Sequence, residues 1–372
     1  MNKLTIKLYL LVLLVILWLP ELSAQLPYRD GAEAISIAPQ LGYQYWRAKD
    51  DQIQQFSIPL TVYYPVNEYL KLNVTASPSF SDYVTSQTVS LQGFSDTRIS
   101  GSYLFENEKV LATFGINLPS GKSALTAEEY TVASVLATHA LDFRSPILGQ
   151  GLDISAGVVM VQDYNDFIFG FGLGYLLRGG YQHYAGYEEK YNPGNEITFS
   201  GGVDYYIGRS KKLLFDLSYT IFGSDTEKEQ RVFKAGNRLS FQAMAIFEQE
   251  FTSYIISITD RLQGKNQMGL DELVPERLNS NGNEFEITGM GMLNLNSMTT
   301  LRGLALGRLY SDNAYSMGGA TVGGIGGGLT RAITPWLDAD AEMRFYFGSL
   351  NAGSENVALT GFHFFTGLKV TL

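Results

Sequence analysis

The stretch LDADAEMRFYF, residues 337–347, alternates apolar and polar side chains along its length. In an extended strand Met343 and Phe345 fall on one face, whereas Asp340 and Arg344 fall on the other. The same alternation recurs in residues 56–64, 70–76, 167–177, 197–207, 213–222, 239–247 and 285–295. A helix would need apolar residues three and four positions apart, so the pattern predicts β-strands.

The composition excludes several classes of protein. Charged residues make up 17%, below the roughly 25% of a soluble domain, and the chain has 39 Gly, 23 Tyr and 22 Phe. Because there is no Cys, disulfide scaffolds and thiolate sites are excluded, and the 3 His leave little for a metal centre. We therefore expect no metal and no cofactor. The formal net charge of -10 lacks the basic footprint that nucleic-acid binding requires.

The amino terminus has the pattern of a secretory signal peptide. Lys3 and Lys7 precede the apolar run LYLLVLLVILWL at 8–19, and Ala24 is the expected residue before the cleavage site. The run would span roughly 18 Å as a helix, too short for a hydrocarbon core of about 30 Å. We expect residues 1–24 to be a signal peptide and 25–33 a short periplasmic segment.

Two all-β architectures fit the alternation: a soluble sandwich and a transmembrane barrel. Short connectors alternate with long ones, a pattern typical of a barrel with short periplasmic turns and long extracellular loops. The long connectors are residues 119–150, 179–195, 223–236, 263–283 and 348–357. We predict a transmembrane antiparallel β-barrel over 34–372 with about 16 strands, 14 being possible. Because a sheet in lipid must have no free edge, residues 359–372 should pair with 34–46.

Aromatic residues and the carboxyl terminus point to the outer membrane. Tyr43, Tyr45 and Trp46 close the first predicted strand, where an interfacial aromatic girdle is expected. The last residues resemble the carboxyl-terminal signal that the outer-membrane insertion machinery reads, with matches at Gly367, Val370 and Leu372. The expected partners are therefore the lipid bilayer and lipopolysaccharide, the insertion machinery, periplasmic chaperones and a small-molecule solute.

One hairpin resembles a known family. Gly93-Phe94-Ser95-Asp96-Thr97 opens a strand, and residues 115–122 (GINLPSGK) end the next. Together they are similar to the "G-x-x-D … hydrophobic-P-[ST]-G" hairpin of outer-membrane transporters linked to meta-pathway phenol degradation, loosely allied to the FadL-type channels. The resemblance implies a transporter of hydrophobic or aromatic solutes. The chain lacks the Asn-Pro-Ala motif of the FadL-type plug, so the resemblance does not extend to that hatch mechanism.

The longest connector is a candidate gating loop. Thr126 and Glu129 form a possible capping box at the start of a helix extending through residue 141. Val132, Leu136 and Phe143 follow at helical spacing. The helix could fold over or into the mouth of the barrel and narrow it, or it could only cover the outer rim.

Charged residues on the polar faces of the strands are expected to line the lumen, because an unpaired Lys or Arg facing lipid costs roughly 2–4 kcal/mol at the midplane. The predicted lumen set is Lys71, Arg98, Asp153, Asp204, Asp216, Glu248, Arg302, Arg308, Asp338, Asp340, Glu342, Arg344 and Lys369. These side chains could line a hydrated pore or form a salt-bridge network that fills a closed barrel. A barrel of sixteen strands is wide enough for a pore.

Three functions remain open on the sequence. The first is a channel for passive diffusion of small solutes, and the second is a structural or adhesive barrel. An enzyme is the third, but the chain lacks the Gly-x-Ser-x-Gly, His-Glu-x-x-His and phosphate-loop motifs. We therefore predict no catalytic residues and no enzymatic activity.

Overall fold

A computed structural model describes residues 34–106, 108–208, 210–351 and 355–372. The expected signal peptide and the segment 25–33 lie outside these residues. The strands are β1 (Ser36–Ala48), β2 (Asp51–Ser57), β3 (Leu60–Pro65), β4 (Leu70–Ala76), β5 (Pro78–Val84), β6 (Thr88–Phe94), β7 (Thr97–Leu104), β8 (Val110–Leu118), β9 (Asp153–Tyr164), β10 (Phe167–Arg178), β11 (Tyr191–Asn192), β12 (Glu196–Tyr206), β13 (Lys211–Phe222), β14 (Asp225–Glu227), β15 (Gln230–Lys234), β16 (Arg238–Glu248), β17 (Thr252–Gln263), β18 (Gln267–Met268), β19 (Val274–Pro275), β20 (Glu284–Asn296), β21 (Thr299–Tyr310), β22 (Ala320–Thr334), β23 (Leu337–Asn351) and β24 (Asn356–Thr371).

The larger sheet closes into a barrel of 16 antiparallel strands, which confirms the predicted fold class. It contains 19 segments because three barrel strands are interrupted, between β2 and β3, β4 and β5, and β6 and β7. The closing pair is β1 with β24, which runs from Ser36 opposite Thr371 to Ala48 opposite Leu359. Each of the 16 barrel strands therefore has a hydrogen-bonding neighbour on both sides, although in the described part of the chain the segment β6 pairs only with β5.

Short turns gather at one end of the barrel, where they join β9 to β10, β20 to β21 and β22 to β23. Long connections lie at the other end, and parts of them pair into a second, five-stranded sheet in the order β11-β14-β15-β18-β19. The connector predicted over residues 348–357 is shorter than expected. Strands β23 and β24 extend into it as far as Asn351 and Asn356, because their cross-strand pairing continues beyond the rim.

The outer face of the barrel carries an apolar belt. Phe171, Leu217 and Phe345 are 65%, 50% and 49% exposed. Other exposed apolar residues stand two positions away on the same strand, and therefore on the same face. A sheet whose outer face is apolar and whose inner face is polar is the reverse of a soluble sandwich. No helix in the described part of the chain is long and apolar enough to cross a membrane.

The first strand corrects one expectation. Tyr43 and Tyr45 alternate with Gln44 and Trp46, so the tyrosines face outward while Trp46 turns into the lumen, where it is 1% exposed. Trp46 is therefore not part of an interfacial girdle. The reason is the period of two in a strand, which places adjacent residues 45 and 46 on opposite faces.

Candidate functional site: an inner loop within the lumen

The connection between β8 and β9 folds into the barrel. We call residues 119–150 the inner loop. It contains one helix, α1 (Ala127–Leu136), whose N-cap Thr126 accepts a hydrogen bond from the backbone of Glu129, and Glu129 returns a hydrogen bond to the Thr126 backbone. This capping box satisfies two N–H groups at the start of the helix. The helix therefore begins where the sequence motif predicts.

The helix ends at Leu136 and not at the predicted residue 141. The reason is that the chain leaves the helix at Ala137 and forms a separate 3₁₀ turn, His139–Leu141. Phe143 therefore lies outside the helix.

Helix α1 lies against the inner faces of β5 and β6. Val132 and Leu136 are 0% and 1% exposed and pack in one hydrophobic cluster with Ile53 and Leu91 of the barrel wall. Tyr130 lies on the other side of the helix and stacks on Tyr184 from the loop before β11, with ring centroids 5.2 Å apart. The helix thus fills space within the mouth instead of covering the outer rim.

Two glutamines of the wall hold the chain beyond the helix. Gln44 on β1 donates to the Asp142 carbonyl (2.8 Å) and accepts from the Arg144 backbone N–H (2.7 Å). Gln55 on β2 makes the same pair of bonds with the Ser145 carbonyl and N–H, at 2.9 and 3.1 Å. Each side-chain amide therefore makes the two hydrogen bonds that a neighbouring strand would make to the loop backbone. Without them, these backbone N–H and carbonyl groups would be buried without partners.

Charged side chains fix the same segment to β1, β21 and β24. Asp142 accepts from Arg308 at 2.7 Å, and Arg308 also donates to Glu286 at 2.7 Å. Arg144 reaches Gln40 (2.5 Å) and lies 3.6 Å over the ring of Phe365. Gln40 is only four residues above Ser36, where β1 begins. The Arg144 side chain therefore reaches the half of β1 that lies nearer the start of the strand.

His139 follows α1 in a 3₁₀ turn, His139–Leu141, and its Nδ1 lies 2.8 Å from a carboxylate oxygen of Glu284 at the rim of β20. The hydrogen bond to Glu284 raises the pKa of His139, although partial burial and the positive charges of Arg261 and Arg238 oppose it. Its protonated form is thus favoured where the loop meets the rim.

The base of the inner loop is closed by Asp96, between β6 and β7. Its carboxylate accepts from the backbone N–H of Gly121 (2.9 Å) and of Gln150 (2.7 Å). Ser120 Oγ accepts from the Thr97 N–H at 2.8 Å. Asp96, Thr97, Ser120 and Gly121 belong to the hairpin that carries the family resemblance, whereas Gln150 lies outside it. The motif therefore holds together the two ends of the inner loop.

The strand pairing places the whole predicted lumen set on the inward face, alternating with the exposed apolar residues. The set is Lys71, Arg98, Asp153, Asp204, Asp216, Glu248, Arg302, Arg308, Asp338, Asp340, Glu342, Arg344 and Lys369. Some of them pair with each other: Arg302 contacts Asp340, and Arg344 lies 2.6 Å from Glu342. Asp204 pairs instead with Lys212, which is outside the predicted set, at 2.7 Å.

The inner loop covers only part of the wall. Beneath it, the inward-facing residues Gln44, Trp46 and Tyr346 are 1%, 1% and 3% exposed. On the wall formed by β12 and β13, the inward-facing Ser200 and Asp216 are solvent-exposed. The lumen is therefore packed on one side and open on the other.

The residues of the expected insertion signal lie at the closing strand. Gly367 is opposite Gln40, and Val370 is 1% exposed and opposite Ile37. Leu372 follows β24, and its N–H donates to the Ile35 carbonyl at 2.8 Å. The described residues contain no group of three or more His, Asp or Glu side chains that could hold a metal ion.

Sequence reasoning missed two residues of this site. Gln44 and Gln55 are buried in the lumen, and both contact loop residues at least 90 positions away in the chain. The period of two indicates the face on which each lies. No local pattern indicates the distant partner.

No family model matches the chain, and no curated protein matches it by sequence. Among solved structures, it is similar to the CymD monoaromatic hydrocarbon channel (10% identity, 92% of this chain and 89% of that chain, TM-score 0.47). It is also similar to OccAB1 of Acinetobacter baumannii (8%, 93% and 100%, TM-score 0.49) and to OpdQ of Pseudomonas aeruginosa (10%, 93% and 100%, TM-score 0.46). Likeness at these values does not assign a function.

Proposed function

We propose that this protein is an outer-membrane channel through which small solutes diffuse passively beside the inner loop. The observation that carries the proposal is the one-sided filling of the lumen, which buries Tyr346 at 3% exposure and leaves Asp216 open to solvent. A barrel closed by a salt-bridge network would bury inward-facing residues on all sides.

The dimensions support a passage. Strands spaced about 4.8 Å apart and tilted by about 40° give a sixteen-stranded barrel a diameter of roughly 30 Å. A helix with its side chains is about 10–12 Å wide. One helix and its flanking segment therefore narrow such a lumen without filling it.

We infer that the inner loop is a fixed constriction and not a thermally opened gate. Val132, Leu136, Leu141, Phe143 and Leu148 are all buried at 5% exposure or less. At about 1.5–3 kcal/mol for each side chain, undocking would cost on the order of 10 kcal/mol. At that free energy, about one molecule in 10⁷ has an undocked inner loop. Transport should therefore not depend on undocking.

We propose hydrophobic or aromatic molecules as the solutes. The support is the resemblance of residues 93–122 to the phenol-linked transporter family. In this structure that hairpin positions the constriction, because Asp96 binds both Gly121 and Gln150. The matching residues are thus those that shape the pore.

We also propose that residues 1–24 direct export and are removed, and that periplasmic chaperones and the insertion machinery deliver the barrel to the outer membrane. The support for export is the apolar run at 8–19 followed by Ala24. The support for delivery is the closing strand, in which Gly367 and Val370 of the expected insertion signal pair with β1. In the bilayer, the apolar belt would contact lipid and lipopolysaccharide.

A structural or adhesive barrel is the second candidate. The five-stranded sheet formed by the long loops favours it, because Met268, Leu270 and Val274 at its edge are 53%, 73% and 60% exposed. Enzymatic activity is not part of either proposal. A lipid and peptide hydrolysis assay on the purified protein checks this, and turnover would contradict it.

Conductance of the refolded protein in planar bilayers separates the two candidates. A channel should show steady single-channel currents, and deletion of residues 124–141 should raise the unit conductance several-fold. Conductance that is absent in both proteins would contradict the channel proposal. Unchanged conductance after deletion would show that the inner loop does not narrow the pathway.

A further inference from the structure

Arg308 is a buried cation whose ligands come from two different parts of the chain. Its side chain is 6% exposed, whereas those of its partners Asp142 and Glu286 are 47% and 40% exposed. Glu286 lies on β20, paired directly opposite Arg308 in the barrel wall. Asp142 belongs to the inner loop and has no strand neighbour. The barrel thus supplies one carboxylate, and the loop supplies the other.

Two buried N–H groups at this place have no hydrogen-bonding partner among the described residues. They are Arg308 Nη1 and Trp46 Nε1. The rings of Trp46 and Tyr346 lie 4.9 Å apart, and the Arg308 guanidinium lies 6.0 Å from the Tyr346 ring. Buried donors without an acceptor are costly, so this cluster lacks acceptor oxygens.

A small cavity of about 70 Å³ lies along the wall at Glu286, the strand neighbour of Arg308. The other residues that line it are Thr259, Arg261, Glu284, Phe285 and Tyr310. A water molecule takes up about 30 Å³ in the liquid. The cavity therefore has room for water beside Glu286, the barrel carboxylate that Arg308 contacts.

The backbone of Asp142 has an unusual conformation for a non-Gly residue. Asp142 has φ 51° and ψ 49°, the left-handed conformation, which costs a non-Gly residue free energy and is best tolerated by Asn and Asp. In this conformation the residue directs its carboxylate to Arg308 while Gln44 holds its carbonyl.

We propose that Arg308 is a binding site for the carboxylate of a small solute and that Asp142 occupies it as an internal substitute. A guanidinium binds carboxylates through paired N–H groups, and Nη1 already lacks a partner. One solute carboxylate would take the place of the Asp142 carboxylate at the Arg308 guanidinium. Asp142 would turn toward the open lumen, while Glu286 and the backbone held by Gln44 would remain in place. The inference rests on the proposed channel function, and it names carboxylates as a solute class.

Titration calorimetry of the full chain in detergent, with benzoate as probe and the uncharged benzamide for comparison, tests the site. Asp142→Asn retains a residue that tolerates the left-handed backbone, so the loop should keep its path. We expect benzoate to bind this variant at least tenfold more tightly than the wild type and benzamide to bind neither. The matched control is Asp204→Asn, which removes another lumen carboxylate, 2.7 Å from Lys212, and should behave as the wild type.

Equal benzoate affinity in Asp142→Asn and Asp204→Asn would overturn the proposal, as would equal binding of benzamide. Adding Arg308→Gln to Asp142→Asn should abolish benzoate binding. If Asp142→Asn fails to give the folded barrel on heat-modifiable gels, Asp142→Ser replaces it under the same criteria. Calorimetry does not require conduction, so the two proposals can fail separately. Benzoate binding without single-channel current would reject the channel function and support the carboxylate site. Current without benzoate binding would support the channel function and reject the site.

Discussion

The carboxylate of Asp96 accepts a 2.9 Å hydrogen bond from the backbone N–H of Gly121, and through this bond the wall of the barrel holds the start of the inner loop. Its second oxygen accepts from Gln150 at the other end of the loop. One side chain therefore fixes both ends of a segment of about 30 residues, which limits the ways in which the loop can enter the lumen.

Asp96→Asn should loosen the inner loop and leave the barrel closed. Hydrogen bonds to a charged group contribute about 1.5–3 kcal/mol, and the variant loses the charge. Because the chain has no Cys, Ala137→Cys provides a unique spin-label site at the exposed end of α1. The label should become more mobile in the variant. Asp82→Asn is the control, since Asp82 accepts from Gln54 and Ser90 instead of the loop. Equal mobility in both variants would refute the role of Asp96.

Gly121→Ala should have a stronger effect on the same label. An added Cβ would lie 2.1 Å from the Leu148 carbonyl oxygen and 2.7 Å from the Asp96 nitrogen, so the backbone must shift. Gly303→Ala is the control, because a Cβ there would meet nothing within 4 Å. A label as immobile in Gly121→Ala as in the control would show that the loop base tolerates the change.

Gln55→Leu should destabilise the docked segment more than Gln55→Glu. Leucine leaves both the N–H and the carbonyl of Ser145 without partners, at about 1–3 kcal/mol for each, whereas glutamate retains an acceptor. Proteolysis of the refolded protein at 144–146 should therefore be fastest in the leucine variant. Gln52→Leu, on the outward face of the same strand, should match the wild type. The opposite order of the two Gln55 variants would contradict this account.

The contact between His139 and Glu284 should weaken as the pH rises. The pKa of His139 is raised above its ordinary value of 6.5. The ion pair between protonated His139 and Glu284 therefore stabilises the docked loop fully below about pH 6.5, and this stabilisation is lost as the pH rises through the raised pKa. The Ala137→Cys label should gain mobility between pH 6 and 9, and His139→Gln should remove this dependence. The charged groups facing His139 are Glu284, Arg261 and Arg238. A pH response that persists in His139→Gln would assign it to another group.

Gly361→Ala should destabilise the packed side of the lumen by about 1–3 kcal/mol. Its Cβ would lie 2.5–2.7 Å from three atoms of the Trp46 ring, which has no free space to move into. The melting temperature on heat-modifiable gels should fall, and the fluorescence of Trp46 should shift to the red. Gly303→Ala again serves as the control, and equal melting temperatures would argue against tight packing at Trp46.

The strands, the face on which each side chain lies and the closure of the barrel could be predicted from the sequence. Alternation at Asp338, Asp340, Glu342 and Arg344 indicates one inward face, and the capping box at Thr126 indicates where α1 begins. These are local properties, since the period of two and the first turn of a helix depend only on neighbours in the chain.

Only the tertiary structure decided where the inner loop lies and which residues hold it. Gln44 and Arg144, or Asp142 and Arg308, are 100 and 166 positions apart, and nothing in either local sequence indicates the other. Such contacts depend on barrel closure, which brings β1, β21 and β24 to one side of the lumen, and on the path of the loop. The sequence by itself determined a closed barrel with a polar interior. The fold decided which part of that interior is filled, because burial is a property of three-dimensional packing and not of side-chain order.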